Sequence, residues 1–225
     1  TALAPAAQAY PTPQQAAGLA APGDMLITNA PVLTASPGRL ENTSILVRAG
    51  KIAAIGPKLT APAGTPVIDG AGKFVIPGII DEHSHTAVDG GVNEGAPSVS
   101  AMSRIKDVIN PHDISIYRQL AGGVTAANVL HGSAPALGGT HAELPWRWGV
   151  SEPTDLLYAT APQGVKFALG ENPTGSNSGG GRRAARYPSS RLGVERVIRS
   201  KFIEARDYNR KRKAGEPIRQ DYQLD

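Results

Sequence analysis

Apolar runs that alternate with helical stretches restrict the fold of this chain more than any other feature. After Pro77, the runs GIIDEHSH, GVTAANVL and GVKFALG are separated by helical patterns near residues 111–121 and 152–159. Strands that alternate with helices form βα units, whose strands lie side by side in a parallel sheet covered on both faces. The sequence therefore predicts an α/β fold with a buried parallel sheet for residues 78–225.

The segment before residue 78 follows a different pattern. MLITNAPVLT, TSILVRAGKIAAIG and TPVIDGAGKFVIPG are short β runs divided by turns rich in Pro and Gly, and Ala49-Gly50 has the composition of a hairpin turn. We therefore expect a small antiparallel β domain over residues 24–77. Residues 1–23 are rich in Ala, Pro and Gln, have little to bury, and are interpreted as a tail.

The tail bears on the compartment of the protein. Ala7-Gln8-Ala9 has the small-x-small form of a signal-peptidase site, although the basic region and most of the apolar region of a signal peptide are missing. Two interpretations follow: the remnant of an export signal, which predicts a periplasmic or secreted protein, and a disordered tail on a cytoplasmic one. No window holds the ~20 apolar residues of a membrane span, so none is predicted.

A basic segment lies near the end of the chain. Residues 182–213 carry twelve Lys and Arg against three Asp and Glu, a net charge of +9 in a chain whose net charge is +4. Clustered Arg can neutralise phosphates, so one alternative function is a non-catalytic module that binds anions or nucleic acid. Apolar residues recur at helical spacing over 191–213, after a possible cap at Ser189 or Ser190, and favour a solvated helix without a nucleic-acid partner.

The first apolar run after Pro77 ends in side chains that bind metals. Asp81, His83 and His85 occupy alternate positions, and alternate residues of a strand project from the same face. The carboxyl ends of parallel strands are where α/β barrels place their active sites. The chain has no Cys, so its ligands would be His, Asp, Glu or a modified Lys. Two imidazoles suit zinc first, with iron, nickel or manganese as alternatives.

These motifs resemble those of the metal-dependent amidohydrolase superfamily. PGIIDEHSH resembles its first-strand signature, Pro-Gly-hydrophobic-hydrophobic-Asp-x-His-x-His. Residues 24–77 are similar to the small β-sandwich that precedes the barrel in the imidazolonepropionase-like branch, and GGVTAANVL and VKFALGENP resemble later strands. The resemblance implies an N-terminal β-sandwich followed by the first strands and helices of a (β/α)8 TIM-type barrel.

The resemblance also implies roles for single residues. His83 and His85 are expected to bind one metal ion, with Asp81 as a supporting group. Two residues are candidates for the next ligand: Lys166, as a carbamate that bridges two metals, and Glu171, as a single strand carboxylate. A position at the carboxyl end of its strand favours Glu171 over Lys166.

The activity implied is hydrolysis of an amide or related C–N bond, in a peptide, an N-acyl amino acid or a cyclic amide, by metal-activated water. His131, just after the second strand, has two interpretations: a substrate contact, and a structural histidine of the loop. The superfamily pattern requires further His ligands and a catalytic Asp from later strands, and a full barrel takes roughly 250 residues. We therefore expect an incomplete barrel, for which there are three explanations: a truncated chain, a precursor cut into two chains that stay associated, and a gene split into two subunits. The second is favoured and predicts a C-terminal half of the enzyme as a separate chain, with further oligomerisation.

Overall fold

The computed structural model describes residues 23–36, 38–174 and 186–224. It divides into two compact units, one ending at Ile79 and the other beginning at Ile80. The domain boundary expected from the sequence lies slightly earlier, between residues 77 and 78. Almost all of the predicted tail, including its Ala-Gln-Ala motif, lies outside the described residues, as does the start of the basic segment.

A four-stranded sheet dominates the first unit. Its strands are β1 (Met25–Leu33), β2 (Arg39–Arg48), β3 (Lys51–Gly56) and β4 (Val67–Asp69). The spatial order is β3-β2-β1-β4, with antiparallel pairing of β1 with β2 and of β2 with β3, and parallel pairing of β1 with β4. The predicted turn joins β2 to β3 at Ala49 and Gly50, whose φ angles of 48° and 73° are those a type I′ hairpin turn requires. The second layer of a β-sandwich stays a prediction.

The second unit contains two small sheets and two helices among its described residues. Its elements are β5 (Ile79–Ser84), α1 (Ile114–Ala121), β6 (Val124–Val129), β7 (Leu137–Thr140), β8 (Ala142–Pro145), β9 (Val165–Phe167) and α2 (Arg191–Lys213). One sheet has the order β5-β6-β8, and the other pairs β7 with β9. The chain therefore has a mixed α/β fold, as the sequence predicts.

The pairing of these strands differs from the parallel sheet that the sequence predicts. Strands β6 and β8 are antiparallel, from Ala126 opposite Pro145 to Val129 opposite Ala142, and β7 and β9 are also antiparallel. The periodicity of the sequence missed β7 and β8, because two glycines and a proline interrupt the β-branched and apolar residues that mark a strand.

The helix expected over residues 152–159 is also wrong. A single 3-10 turn spans Pro153–Leu156, and the backbone is extended again at Leu157, with φ −93° and ψ 134°. The next amide, that of Tyr158, donates its hydrogen bond to the Glu143 carbonyl of β8 at 3.1 Å instead of to a helical partner. Pairing with the neighbouring strand therefore overrides the local helical pattern.

The other two helices agree with the sequence. Helix α1 ends at the predicted residue 121 and is capped by Asp113, whose Oδ1 accepts a hydrogen bond from the Ser115 amide at 2.8 Å. Helix α2 covers the predicted 191–213, and the Ser190 side chain accepts from the Gly193 amide at 3.3 Å. In the described part of the chain, no helix combines the length and apolar character that crossing a membrane would need.

Two apolar clusters hold the second unit together. The larger one joins Ile116 of α1 to Val129 of β6 and Leu144 of β8, all with no exposed surface. The smaller one packs Val194 and Val197 of α2 among residues that include those of β7. They include residues of β6, β7 and β8, the strands that lie beside the candidate site.

Candidate metal centre

Two imidazole rings lie side by side at the end of β5. The ring centroids of His83 and His85 are 5.1 Å apart, with an angle of 88° between the ring planes. Both residues are exposed, while Ser84 between them is buried. The two rings therefore share one face of the extended backbone, as the alternation of side chains along a strand predicts. Asp81 supports this backbone, since its Oδ1 accepts a hydrogen bond from the His83 amide at 3.2 Å.

The orientation of His85 is set by a backbone carbonyl. Its Nδ1 lies 2.8 Å from the carbonyl oxygen of Leu130, the residue after β6. Because a carbonyl oxygen can only accept, Nδ1 carries a proton, and in the neutral ring Nε2 is then the nitrogen with the lone pair. The Leu130 amide in turn donates to the Ser84 carbonyl at 3.0 Å, which holds the two segments together. An outer hydrogen bond of this kind is the usual support of a metal-binding histidine.

Lys166 of β9 points at the first histidine. Its Nζ lies 3.3 Å from His83 Nε2. Burial lowers the pKa of the Lys166 ammonium group. The pKa of His83 is also lowered, first by burial and then by the charges of Lys166 and His85, against the opposite effect of nearby acidic groups. Both shifts favour the neutral forms, which a metal-binding imidazole and a reactive amine both need.

Glu171 does not hold the strand position that favoured it over Lys166. Strand β9 ends at Phe167, so that Glu171 lies in the following turn, where its carbonyl oxygen accepts hydrogen bonds from the amide and hydroxyl of Thr174 at 2.9 and 2.6 Å. Its side chain is exposed. Of the two candidates for the next ligand, the structure thus brings Lys166 into contact with the histidine pair.

His131 is buried, with 6% of its surface exposed, and its Nε2 has no hydrogen-bond partner. Burial is the main reason that its pKa is lowered, and the nearby charges of His85 and Lys166 act in the same direction. Of the two interpretations of His131, this burial agrees with a structural histidine, and its role as a substrate contact stays a prediction.

The groups brought together fit a transition-metal ion. Across the described ranges, no three His, Asp or Glu side chains form a metal-binding cluster, and the group beside the histidine pair is the amine of Lys166. Neutral imidazole nitrogens, one of them with its tautomer fixed, suit zinc, iron, nickel or manganese, whereas calcium and magnesium prefer oxygen.

Two parts of the site escaped sequence reasoning. The Leu130 carbonyl is a backbone atom, which leaves no sequence signal. Gly138 and Gly139 lie buried beside Lys166 and His131. Paired glycines within an apolar segment are a signal of close backbone approach, and could have marked this place.

Comparison with known sequences finds partial relatives. No protein-family model matches the chain. It is 33% identical over 107 residues to a dihydroorotase of Pelobacter propionicus, a match that covers 42% of this chain and 25% of that protein. It is 41% identical over 70 residues to an imidazolonepropionase of Mycolicibacterium smegmatis, covering 31% of this chain and 18% of the relative. The chain thus matches a quarter or less of the length of these curated relatives.

One solved structure resembles the chain over most of its length. An amidohydrolase from Thermotoga maritima MSB8 has a TM-score of 0.75 and 29% sequence identity, and the match covers 89% of this chain. It covers 53% of the Thermotoga protein, so that this chain spans about half of that fold.

Proposed function

We propose that this chain, which belongs to the amidohydrolase superfamily, takes part in the hydrolysis of a cyclic amide or a related C–N bond at the site of His83 and His85. Two of its curated relatives are named dihydroorotase and imidazolonepropionase, which supports a C–N bond in a ring as the substrate class. The observation that carries the proposal is the 3.3 Å contact between His83 Nε2 and Lys166 Nζ beside the second imidazole.

The residues proposed to hold the metal are His83, His85 and Lys166, with zinc as the first candidate. A bound divalent ion would activate water and polarise the carbonyl of the substrate. The Leu130 carbonyl keeps the lone pair of His85 Nε2 available. Asp81 supports the backbone of His83 through its amide.

Lys166 is proposed to act as a carbamate, formed when the neutral amine adds carbon dioxide and releases a proton. The nitrogen must be unprotonated to react, and the lowered pKa of Lys166 increases that fraction. The carbamate would offer two oxygens near His83 where the amine offers one nitrogen, which suits a site with two metal ions. Glu171 is the alternative ligand.

An assay of ring opening tests the proposed function. The protein, in the assembly in which it occurs, is offered five- and six-membered cyclic amides, and acid release is followed in a pH-stat. His83→Asn is expected to reduce the rate by about 100-fold or more, because it removes a ligand at the reacting centre. His112→Asn is the matched control, since His112 is exposed and lies outside the site. Equal rates in the two variants would contradict the proposal.

Exposed apolar side chains support a partner that completes the fold. Leu169, Leu192, Phe202 and Ile203 have 69%, 85%, 58% and 49% of their surface exposed. They line one cavity of about 1000 Å³ along α2. The solved Thermotoga relative contains about as much chain again as the part matched here. We propose that a C-terminal half of the enzyme, as a separate chain, packs on this surface.

The alternative function, an anion- or nucleic-acid-binding module, rests on the charge of α2. Ion pairs of 2.7 to 3.1 Å along and just beyond this helix join Arg199 to Glu195, Lys201 to Glu204, Arg210 and Lys211 to Asp207, and Arg210 to Glu216. These acidic partners compensate part of the positive charge that would attract phosphates. The hydrolase is therefore the better supported of the two functions.

A further inference from the structure

A β-bulge faces the lysine of the candidate site. In the β7–β9 pair, Leu137 lies opposite Phe167 and Thr140 lies opposite Val165, with a shift of register between them. Between these pairs β7 has two glycines, whereas β9 has only Lys166. An extra residue on one strand bends that strand and changes the direction in which nearby side chains point, which is why bulges often lie next to active sites.

The first glycine of the bulge, Gly138, packs against the aliphatic part of the Lys166 side chain. A Cβ atom placed on Gly138 would lie 3.2 Å from Lys166 Cβ and 3.3 Å from His131 Cβ. Carbon atoms pack best at about 3.5–4.0 Å, so any side chain here would push on both neighbours. Lys166 and His131 therefore both pack directly against the backbone of Gly138.

The second glycine of the bulge, Gly139, packs against the ring of His131. A Cβ atom on Gly139 would lie 2.6 Å from His131 Nε2 and 1.8 Å from the carbonyl oxygen of Ser103. That carbonyl cannot move freely, because it accepts a hydrogen bond from the Thr140 amide at 2.9 Å. Position 139 therefore admits glycine alone, and the His131 ring fills the space above it.

We propose that the bulge at Gly138 and Gly139, with His131 packed on it, is a positioning device that aims Lys166 at His83. The inference rests on the proposed function, since it gives a purpose to the contact between those two side chains. It assigns Gly138 and His131 to the metal centre as positioning residues that act through Lys166. The bulge restricts the Lys166 side chain on one side. Less side-chain entropy is therefore lost when the amine is held beside His83 to bind a metal ion.

Cobalt binding tests this inference, because the visible spectrum of Co²⁺ reports the geometry of its ligands. The protein as isolated is stripped of metal and titrated with Co²⁺. Gly138→Ala is expected to lower the affinity by about 10- to 100-fold and to change the spectrum at saturation, as loss of outer support does in other metal sites. Gly95→Ala is the matched control, because a Cβ atom there meets nothing within 4 Å.

A second variant keeps the test decisive if Gly138→Ala does not fold. His131→Ala removes the ring without adding an atom to the bulge, and it is expected to shift affinity and spectrum in the same direction. Unchanged spectra in both variants, or in His131→Ala alone where it is the one that folds, would overturn the inference while leaving the proposed function in place. A wild-type protein that fails to bind Co²⁺ would instead overturn the proposed function, and this inference with it.

Discussion

At the scale of single residues, the sequence predicted the histidine pair but not what surrounds it. Two histidines at alternate positions of a strand must project to one side, so His83 and His85 could be paired from spacing alone. The choice between Lys166 and Glu171 depended on where β9 ends, and strand ends are set by pairing with β7, which sequence periodicity did not reveal.

Removal of the lysine amine is the first prediction at this scale. Lys166→Met keeps most of the apolar stem but removes the group 3.3 Å from His83 Nε2. We expect Zn²⁺ affinity, measured by competition with a chromogenic chelator, to fall by about 100-fold, because one ligand of the centre is lost. Lys106→Met is the control, since Lys106 is exposed in a separate 3-10 turn. Equal affinities in the two variants would contradict the assignment of Lys166.

The second prediction at this scale concerns the pH dependence of stability. Burial lowers the pKa of His131 below its ordinary value of 6.5, so the unfolded chain binds this proton more readily than the folded one. This contribution to stability is therefore present above about pH 6.5 and is lost as the pH falls below it. Urea denaturation of the metal-free protein at pH 8 and pH 5 is expected to show a smaller loss in His131→Asn than in the wild type. An identical pH dependence would contradict the burial of a neutral ring.

At the scale of elements, the sequence predicted those that carry their own local signals. Helices α1 and α2 have capping side chains at Asp113 and Ser190 and were placed within a few residues. Strands β7 and β8 depend on partners distant in sequence, and after the turn at 153–156 the Tyr158 amide bonds to β8 instead of continuing a helix. The sequence could therefore not predict that β6 pairs with β8 in an antiparallel direction.

One side chain links α1 to the segment after the histidine pair. Asp113 Oδ1 caps α1 at the Ser115 amide, and its Oδ2 accepts from the Ala87 amide at 2.9 Å. Asp113→Ala should lower the free energy of unfolding by about 1–3 kcal/mol, from loss of the cap and of the second hydrogen bond. Asp113→Asn keeps one acceptor and should lose less. Equal losses in urea denaturation would contradict this expectation, because they would show that the acceptor retained in Asp113→Asn contributes nothing to stability.

At the scale of the whole molecule, some apolar side chains that would be covered in a buried parallel sheet remain exposed. Ile79 and Ile80 of β5 were expected in a strand buried on both faces, yet they are 49% and 70% exposed. In the sheet described here, β5 lies at an edge of the order β5-β6-β8. An edge strand with apolar side chains is a surface for pairing. Its exposure supports a partner that supplies further strands.

The prediction at this scale concerns binding of the proposed C-terminal half to the apolar surface of α2. Phe202→Asp places a charge among the exposed apolar residues of the cavity along α2 and should weaken binding of the proposed C-terminal half by about 10-fold or more. Native mass spectrometry is expected to show the wild-type complex and, for this variant, more free chain of 23.4 kDa. Lys213→Asp, at the far end of the helix, is the control. Equal amounts of complex in both variants would contradict the proposed surface.

The metal content of the isolated protein tests the central claim most directly. Elemental analysis of the wild type should find about one or two zinc-type ions per complex. The double variant His83→Ala/His85→Ala, purified in parallel and shown by circular dichroism to be folded, should contain almost none. Metal at the same level in both proteins, or none in either, would contradict a hydrolytic metal centre at the end of β5.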